Sequence, residues 1–443
     1  MLKGSGEINI VGAELAVSVM LSSLVRRGVC PNFVVTRGAF SCPFKPPAKI
    51  WGSENNKCPK GDLYLSPKVK KVPKEPKTRG RYQYIRMELC DCGDAEEYIK
   101  TLPDELFDPE EARQLLFQMA FALHAAAIRF SLKHYDVKLL NYFCQRMKSK
   151  NGGDTVLRYG LGDHIFAMRL PSGSGIMAKL ADYGTANVDS AANGQQVTIA
   201  QFTTLENTPA DFMILGDKAC QGHGHDNWGL GLCMLHLFTG HAPYEEILED
   251  VTCPPNLRKR LCKIWECEDE EEFSVIRGVI LADVYKDEEG HILEGEPNEV
   301  LYDTFYRLLV LFGLPNLPGK LRTSKVWIAV RDCLEGPNSA KGKPAKSKKT
   351  NDVSHYTRDS RKYSIEHGSN RYIARARKAL QSMDGGMELL LSLVSFDPQE
   401  RFTALDAMNS KFMEPLRESA GGINQYSWED DVRTYTSFST NYE

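Results

Sequence analysis

The sequence predicts an α+β fold in which a short part with strands precedes a larger, mainly helical part. Helical periodicity with clear start and stop residues recurs along the chain. One further helix is apolar on nearly all sides, which is typical of the centre of a large core. Short apolar runs beside turn residues predict strands. We expect helices at 13–27, from 109 onward, at 227–240 and at 388–413, and strands at 33–42, 81–90 and 176–184.

The composition is that of a globular protein and favours neither nucleic acid nor membrane as a partner. The 443 residues carry a formal net charge of −3, so the chain has no global attraction to polyanions. No secretory signal pattern precedes the first helix, and no apolar run is long enough to span a bilayer. The twelve cysteines include one CxC pair, Cys90 and Cys92, without a second pair at zinc spacing. We therefore expect no zinc site and a location in the cytoplasm or nucleus. The oligomeric state is left open.

The first part of the chain contains a helix and a basic insertion. Val17, Leu21 and Leu24 share one face of the predicted helix, and Gly28 ends it. Between 45 and 81 the chain has 11 Lys and Arg against 3 Asp and Glu, with six prolines. This composition predicts a solvated insertion at about 43–81, although a docking site for acidic partners is an alternative.

The larger part begins with a well-marked helix. Asp108 can cap it and Pro109 takes its first position, while an apolar stripe follows. Further on, 341–378 has 12 Lys and Arg against 3 Asp and Glu, and we expect most of it to be disordered. The last residues, from 416, read as a polar tail.

The octet "HYDVKLLN", from His134 to Asn141, contains side chains of the types used in catalysis. A carboxylate such as Asp136 can orient a hydroxyl and accept its proton, and Lys138 can neutralise a transferred phosphate. The amide of Asn141 is a hard oxygen ligand of the kind that magnesium prefers. Taken alone, the octet also fits an ordinary loop.

Three other motifs accompany the octet. "DYG", 182–184, follows an apolar strand and is either a metal-ligand position or a plain strand-to-turn exit. Asp226 directly precedes the fully apolar helix, as a cap would. Arg401 lies in an apolar context, which indicates a buried guanidinium that needs a carboxylate partner such as Asp211.

In this order and spacing the motifs resemble those of the protein kinase family. "HYDVKLLN" corresponds to H-R-D-x-K-x-x-N, "DYG" to D-F-G, and "PAD" to A-P-E. "DNWGLG" and "DPQERFTALDAM" are similar to the central helix start and a motif near the domain end. The resemblance implies a two-lobed fold with a mainly helical large lobe and an incomplete β-rich small lobe. The implied boundaries are 1–87 for the small lobe, 88–415 for the large lobe with insertions at about 145–170 and 337–375, and 416–443 for the tail.

The resemblance also implies roles for single residues, with ATP and magnesium as cofactors and proteins as substrates. Lys138 in this loop is similar to the serine/threonine-specific type. Asp226 is expected to brace the backbone of the catalytic loop. The catalytic residues are expected to be Asp136, Lys138, Asn141, Asp182 and Thr204, with Asn141 and Asp182 holding the metal. The nucleotide is expected to meet Lys3, Glu14, the gatekeeper Met87, Glu88, Cys90, Asp94 and Phe143.

Glu14 and the residues before it depart most from the family pattern. Glu14 shares the apolar helix face, so it either stabilises the helix dipole or pairs with a phosphate-binding lysine. Lys3 is the lysine available for that role, and no glycine-rich loop precedes it. The sequence is therefore expected to be a fragment of a longer product or to have an incomplete nucleotide site. A second departure is Tyr135 in place of the family's arginine, which makes activation by loop phosphorylation unnecessary.

Three functions remain open at this stage. The retained catalytic motifs favour a serine/threonine protein kinase. The missing glycine-rich loop favours a pseudokinase that acts as a scaffold or binding module. A small-molecule phosphotransferase is the third, which the large-lobe motifs disfavour.

Overall fold

The computed structural model describes residues 10–42, 82–147, 154–269, 271–283, 299–336, 351–418 and 432–438. Helices dominate this part of the chain, and the strands form small sheets. No helix in the described ranges is both long and apolar enough to cross a membrane. The helices are α1 (Ile10–Arg26), α2 (Ala95–Ile99), α3 (Pro109–Phe130), α4 (Ala210–Leu215), α5 (Gly224–Thr239), α6 (Pro255–Trp265), α7 (Ser274–Asp283), α8 (Glu299–Phe312), α9 (Gly319–Thr323), α10 (Lys325–Leu334), α11 (Asn351–Tyr363), α12 (Arg371–Ser382), α13 (Gly386–Leu393) and α14 (Ala404–Met408).

The strands pair in three sheets. β1 and β2 form an antiparallel pair, as do β3 and β6. In the third sheet, β4 is central, with β5 on one side and β7 on the other. Their bounds are β1 (Thr36–Cys42), β2 (Tyr82–Met87), β3 (Tyr142–Arg146), β4 (Thr155–Leu161), β5 (His164–Leu170), β6 (Ile176–Leu180) and β7 (Val432–Phe438).

The α1 helix buries the face that the sequence predicts. Val17, Leu21 and Leu24 are all buried, and Gly28 follows the helix end in a left-handed conformation (φ 68°). The chain then continues through Phe33, which is fully buried beside β6. Lys3 and the basic segment at 43–81 lie outside the described residues.

The α5 helix is the centre of the core, as its apolar sequence predicts. Its residues from His225 to Thr239 are all buried, and α3, α12 and α13 pack around it. Gly229 lets α5 approach the catalytic octet closely, because a Cβ atom at this position would lie 2.6 Å from the Val137 carbonyl oxygen. The helix ends at Gly240, whose φ of 74° suits glycine.

A hairpin lies between the catalytic loop and the DYG motif. Its strands β4 and β5 pack on α3 through Phe117, which contacts the rings of Tyr159 and Phe166. Arg158 on β4 forms an ion pair with Glu418 at 2.9 Å. The segment at 416–443, read from the sequence as a polar tail, also contributes β7 to this sheet.

The expectation that most of 341–378 is disordered is wrong. Two helices, α11 and most of α12, lie there, and they bury one face each. Tyr363, Ile373 and Leu380 enter the core, while the basic residues cover the outer faces. The high Lys and Arg content concealed this amphipathic pattern, because long basic side chains tolerate an exposed helix face.

Candidate active site

The catalytic octet follows α3, and its backbone is held by one buried carboxylate. Asp226, in the first turn of α5, accepts hydrogen bonds from the backbone N–H groups of His134 (2.7 Å) and Tyr135 (2.8 Å). Burial raises the pKa of Asp226 despite these bonds. The bonds fix a turn in which Tyr135 has a φ of 62°, a conformation that costs a non-glycine residue energy. The expected brace of the catalytic loop is thus confirmed.

Asp136 is the most highly bonded side chain of the site. Its carboxylate contacts Lys138 Nζ at 3.0 Å, accepts from Thr204 Oγ1 at 2.8 Å, and accepts from Asn141 Nδ2 at 2.9 Å. Burial acts to raise its pKa, but Lys138 and the hydrogen bonds outweigh burial and hold the pKa below its ordinary value. Asp136 is therefore ionised at neutral pH and can accept a hydrogen bond from an incoming hydroxyl.

Lys138 and Thr204 link the octet to the segment that follows DYG. Lys138 Nζ donates to Thr204 Oγ1 at 3.0 Å, so the threonine hydroxyl lies between the lysine and Asp136. This is the contact that the resemblance implies. A cleft opens beside them, lined in part by Glu206, Tyr244 and Glu245.

The residues expected to hold magnesium, Asn141 and Asp182, have side-chain oxygen atoms that can act as ligands. Asn141 Nδ2 donates to both the backbone oxygen and the carboxylate of Asp136, which orients the amide. The amide oxygen of Asn141 has no hydrogen-bond donor among the described residues. Asp182 is exposed and left-handed (φ 59°), and it directly follows Ala181, whose N–H donates to the Asn141 carbonyl oxygen at 2.9 Å. This hard oxygen donor set fits magnesium.

Glu14 on α1 lies close enough to Asp182 for the two carboxylates to interact. Burial, and then the charge of Asp182, raise the pKa of Glu14 above its ordinary value. Within the described ranges, Glu14 forms no ion pair with a lysine or arginine. The two negative groups therefore leave local charge that a cation can neutralise, and both interpretations of Glu14 stay open.

The expected nucleotide-base residues surround a small apolar cluster. Cys90, Phe143, Val34 and Ala181 pack together. The Phe143 backbone bridges to Asp94, whose carboxylate caps α2 by accepting from Glu97 N at 2.8 Å. Met87, the expected gatekeeper, is half-exposed.

Glu88 is anchored by a lysine that sequence reasoning missed. Its carboxylate accepts from Lys179 Nζ at 2.8 Å and from Val35 N at 2.7 Å, and its own N–H donates to the Val35 carbonyl. Lys179 lies on β6 and is only 4% exposed. A lysine in an otherwise apolar strand was the available signal, because a buried ammonium requires a partner.

Arg401 and Asp211 form the predicted buried ion pair. Their N–O distance is 2.5 Å, and the side chains are 1% and 4% exposed. Arg401 also donates to the carbonyl oxygens of Ser395 and Gly224, and its guanidinium lies over the Trp228 ring at 5.1 Å. The pair connects α4, which follows Thr204, to the chain segment before α14.

Tyr135 replaces the family's arginine with a fully buried ring. Its hydroxyl donates to Gln221 Oε1 at 3.4 Å, and the ring packs edge-on against His225. Burial raises the pKa of Tyr135. A buried tyrosine carries no positive charge, so this position offers no cation for a phosphate. Lys133, the residue before the octet, is a second buried lysine that sequence reasoning missed.

Comparison with known families agrees with this geometry. The sequence model of the protein kinase domain matches residues 74–413, more than three quarters of the chain. Comparison with curated proteins finds no match. The chain belongs to the protein kinase family, and its helical large lobe with small sheets is the fold of that family.

Proposed function

We propose that this protein transfers the γ-phosphate of magnesium-bound ATP to serine or threonine hydroxyls of protein substrates. The observation that carries the proposal is the cluster in which Asp136 contacts Lys138, Thr204 and Asn141. In this cluster a carboxylate can accept the proton of the substrate hydroxyl, and a cation can neutralise charge on the phosphate. The Asn141 amide donates a hydrogen bond to the same carboxylate. Phosphoryl transfer depends mainly on such positioning and electrostatics.

Each residue of the cluster has a distinct task in the proposed reaction. Asp136 orients the acceptor hydroxyl and takes its proton as the new P–O bond forms. Lys138, held by Thr204, offsets negative charge on the phosphoryl oxygens. Asn141 and Asp182 are the groups that would hold magnesium, which when bound screens the phosphate charges.

Thr204 and Lys138 also support a protein substrate with an aliphatic hydroxyl. Both residues line a cleft and contact the Asp136 carboxylate. The lysine in this loop is similar to that of serine/threonine-specific members of the family. A cytoplasmic or nuclear location fits the free thiols and remains part of the proposal.

The alternative is a pseudokinase that binds partners without catalysis. The observation that favours it is Glu14, which has no cationic partner among the described residues although its pKa is raised by burial and Asp182. If no cation completes this side of the site, the phosphates of ATP lack one of their usual clamps.

The test uses the whole chain with γ-labelled ATP, magnesium and three peptide pools that differ only in a central Ser, Thr or Tyr. We expect label in the Ser and Thr pools and its loss in Asp136→Asn. Asp163→Asn, at the exposed turn between β4 and β5, is the matched control and should retain full activity. Nucleotide binding by wild type without any transfer would establish the pseudokinase instead, and label in the Tyr pool alone would refute the substrate assignment.

A further inference from the structure

Lys133 is a lysine whose entire side chain is buried between the catalytic loop and the segment after DYG. Its relative exposure is 0%. The Nζ atom donates to the carbonyl oxygens of Ser131 (3.2 Å) and Asp189 (2.8 Å), and to Asn193 Oδ1 (2.9 Å). An ammonium group has three N–H donors, so all of them are used.

Two of these acceptors belong to the segment at 185–208, which we call the activation segment. Asp189 and Asn193 flank a short helical turn in it, the turn at Ser190–Ala192. The backbone of Lys133 adds a pair of hydrogen bonds with Asn187, both 2.8 Å long. The lysine therefore holds the beginning of the activation segment through main chain and side chain together.

The far end of the activation segment is held by the octet itself. Thr203 Oγ1 donates to the Tyr135 carbonyl at 2.6 Å, and Thr204 Oγ1 donates to Asp136. Both threonine hydroxyls are thus engaged without any phosphate. The segment is anchored at two ends, with Lys133 supplying the charge at one of them.

We infer that Lys133 is a positioning residue that orders the activation segment, and that it does so without phosphorylation. This inference rests on the proposed function, because it concerns how the substrate side of that site is shaped. The buried ammonium links the loop to the activation segment, as an ion pair between an added phosphate and an exposed arginine would otherwise do. Its acceptors are neutral oxygens of the chain itself, so the link needs no added group.

Burial and nearby carboxylates act in opposite directions on the Lys133 ammonium. Burial lowers the pKa of Lys133, while the charges of Asp189 and Asp226 raise it, with burial dominant. Bonds to a charged donor are about twice as strong as bonds between neutral groups. Removing the ammonium should therefore release the segment while the backbone pair with Asn187 remains.

The first experiment measures steady-state kinetics of phosphatase-treated protein. Lys133→Met should lower kcat/KM for the peptide by about tenfold to a hundredfold, while the KM for ATP changes less than twofold. Asn193→Ala removes one acceptor and should give a smaller loss in the same direction. Lys218→Met is the matched control, because Lys218 is exposed and its ion pair with Glu272 is also exposed.

The second measurement is hydrogen exchange of the activation segment, which does not depend on catalysis. In Lys133→Met the amides of 185–205 should exchange at least tenfold faster, with α3 and α5 unchanged. Unaltered exchange in this segment would overturn the inference. So would a wild type whose segment is protected only after phosphorylation. If wild type transfers no phosphate but the exchange result holds, the proposed function fails while the anchoring role stands.

Discussion

The catalytic loop and the nucleotide side of the same site differ in how their carboxylates are compensated. Around the loop, Asp136 has Lys138, Asp211 has Arg401, and Asp226 has two backbone N–H groups. On the other side, Glu14 and Asp182 face each other, and the described residues supply no cation to pair with Glu14. The loop side is thus preassembled, whereas the described residues leave the charges of Glu14 and Asp182 uncompensated.

The two sides of the site should therefore respond differently to substitution. Changes on the loop side break existing bonds in a buried region and should be costly. Changes at Glu14 and Asp182 act on exposed or partly exposed groups, and their effects should be smaller and depend on magnesium.

Arg401→Ala should have the largest effect on stability. It leaves the buried Asp211 carboxylate without its partner and removes the contact with Trp228, at a cost of about 3–5 kcal/mol. Urea unfolding of the variant measures this difference. Arg401→Lys retains the charge but loses the forked geometry, so it should fall between wild type and alanine. A variant within about 0.5 kcal/mol of wild type would show that the pair carries no stability.

His225 predicts how the loop side responds to acid. Burial, followed by Arg401, lowers its pKa from 6.5 to about 3. The unfolded chain takes up a proton below pH 6.5 that the folded chain does not, so stability is lost as the pH falls from 6.5 toward 3. The slope from this residue is about 1.4 kcal/mol per pH unit.

His225→Phe keeps an aromatic ring between Tyr135 and Phe212 but cannot bind a proton. We expect its unfolding free energy to depend less on pH between 6 and 4 than that of wild type. The half-buried His124 and the buried His236, with pKa values lowered to about 4, remain as the internal control and keep part of the slope. Identical slopes in both proteins would mean that His225 takes up a proton without unfolding.

Thr204→Ala tests the link between the activation segment and the octet. The loss removes the hydroxyl between Lys138 and Asp136, and a hydrogen bond to a charged group contributes about 1.5–3 kcal/mol. We therefore expect kcat to fall about tenfold to a hundredfold, with ATP binding retained. Thr204→Ser keeps the oxygen atom and should recover most of the activity. Equal loss in serine and alanine would assign the effect to packing rather than to the hydroxyl.

The comparison between the two sides also explains what the sequence could predict. Arg401 in an apolar context requires a carboxylate, for which Asp211 was a candidate, and the resemblance of the motifs assigned Asp211, Asp226 and Thr204. Lys133 and Lys179 could not be placed, because their partners are backbone oxygens or a distant glutamate that no local pattern marks. Helices α11 and α12 were missed because their basic residues dominate the composition. The third strand of the hairpin sheet, β7, depends on pairing across more than 250 residues.

Magnesium should stabilise the nucleotide side even without ATP. Binding at Asp182 and Asn141 with a dissociation constant of about 1 mM would add about 1.4 kcal/mol at 10 mM magnesium. Thermal or urea unfolding with magnesium, against potassium chloride at equal ionic strength, measures this gain. Asp182→Asn should lose it, whereas Asp163→Asn should keep it. Equal stabilisation of Asp182→Asn and wild type would place the ion elsewhere.

Glu14→Gln should change the free energy of unfolding least among these variants. The sign of the change tests whether Glu14 lacks a cationic partner. Because its folded-state pKa is raised, Glu14 favours folding below its ordinary pKa of 4.5, and that contribution is lost as the pH rises. The glutamine variant should therefore be slightly more stable than wild type at pH 7, with the difference shrinking toward pH 4. Magnesium at Asp182 would screen the same repulsion, so it should also reduce the difference at pH 7. A variant less stable than wild type at pH 7 would show that Glu14 already has a cationic partner, and the two halves of the site would then be equally preassembled.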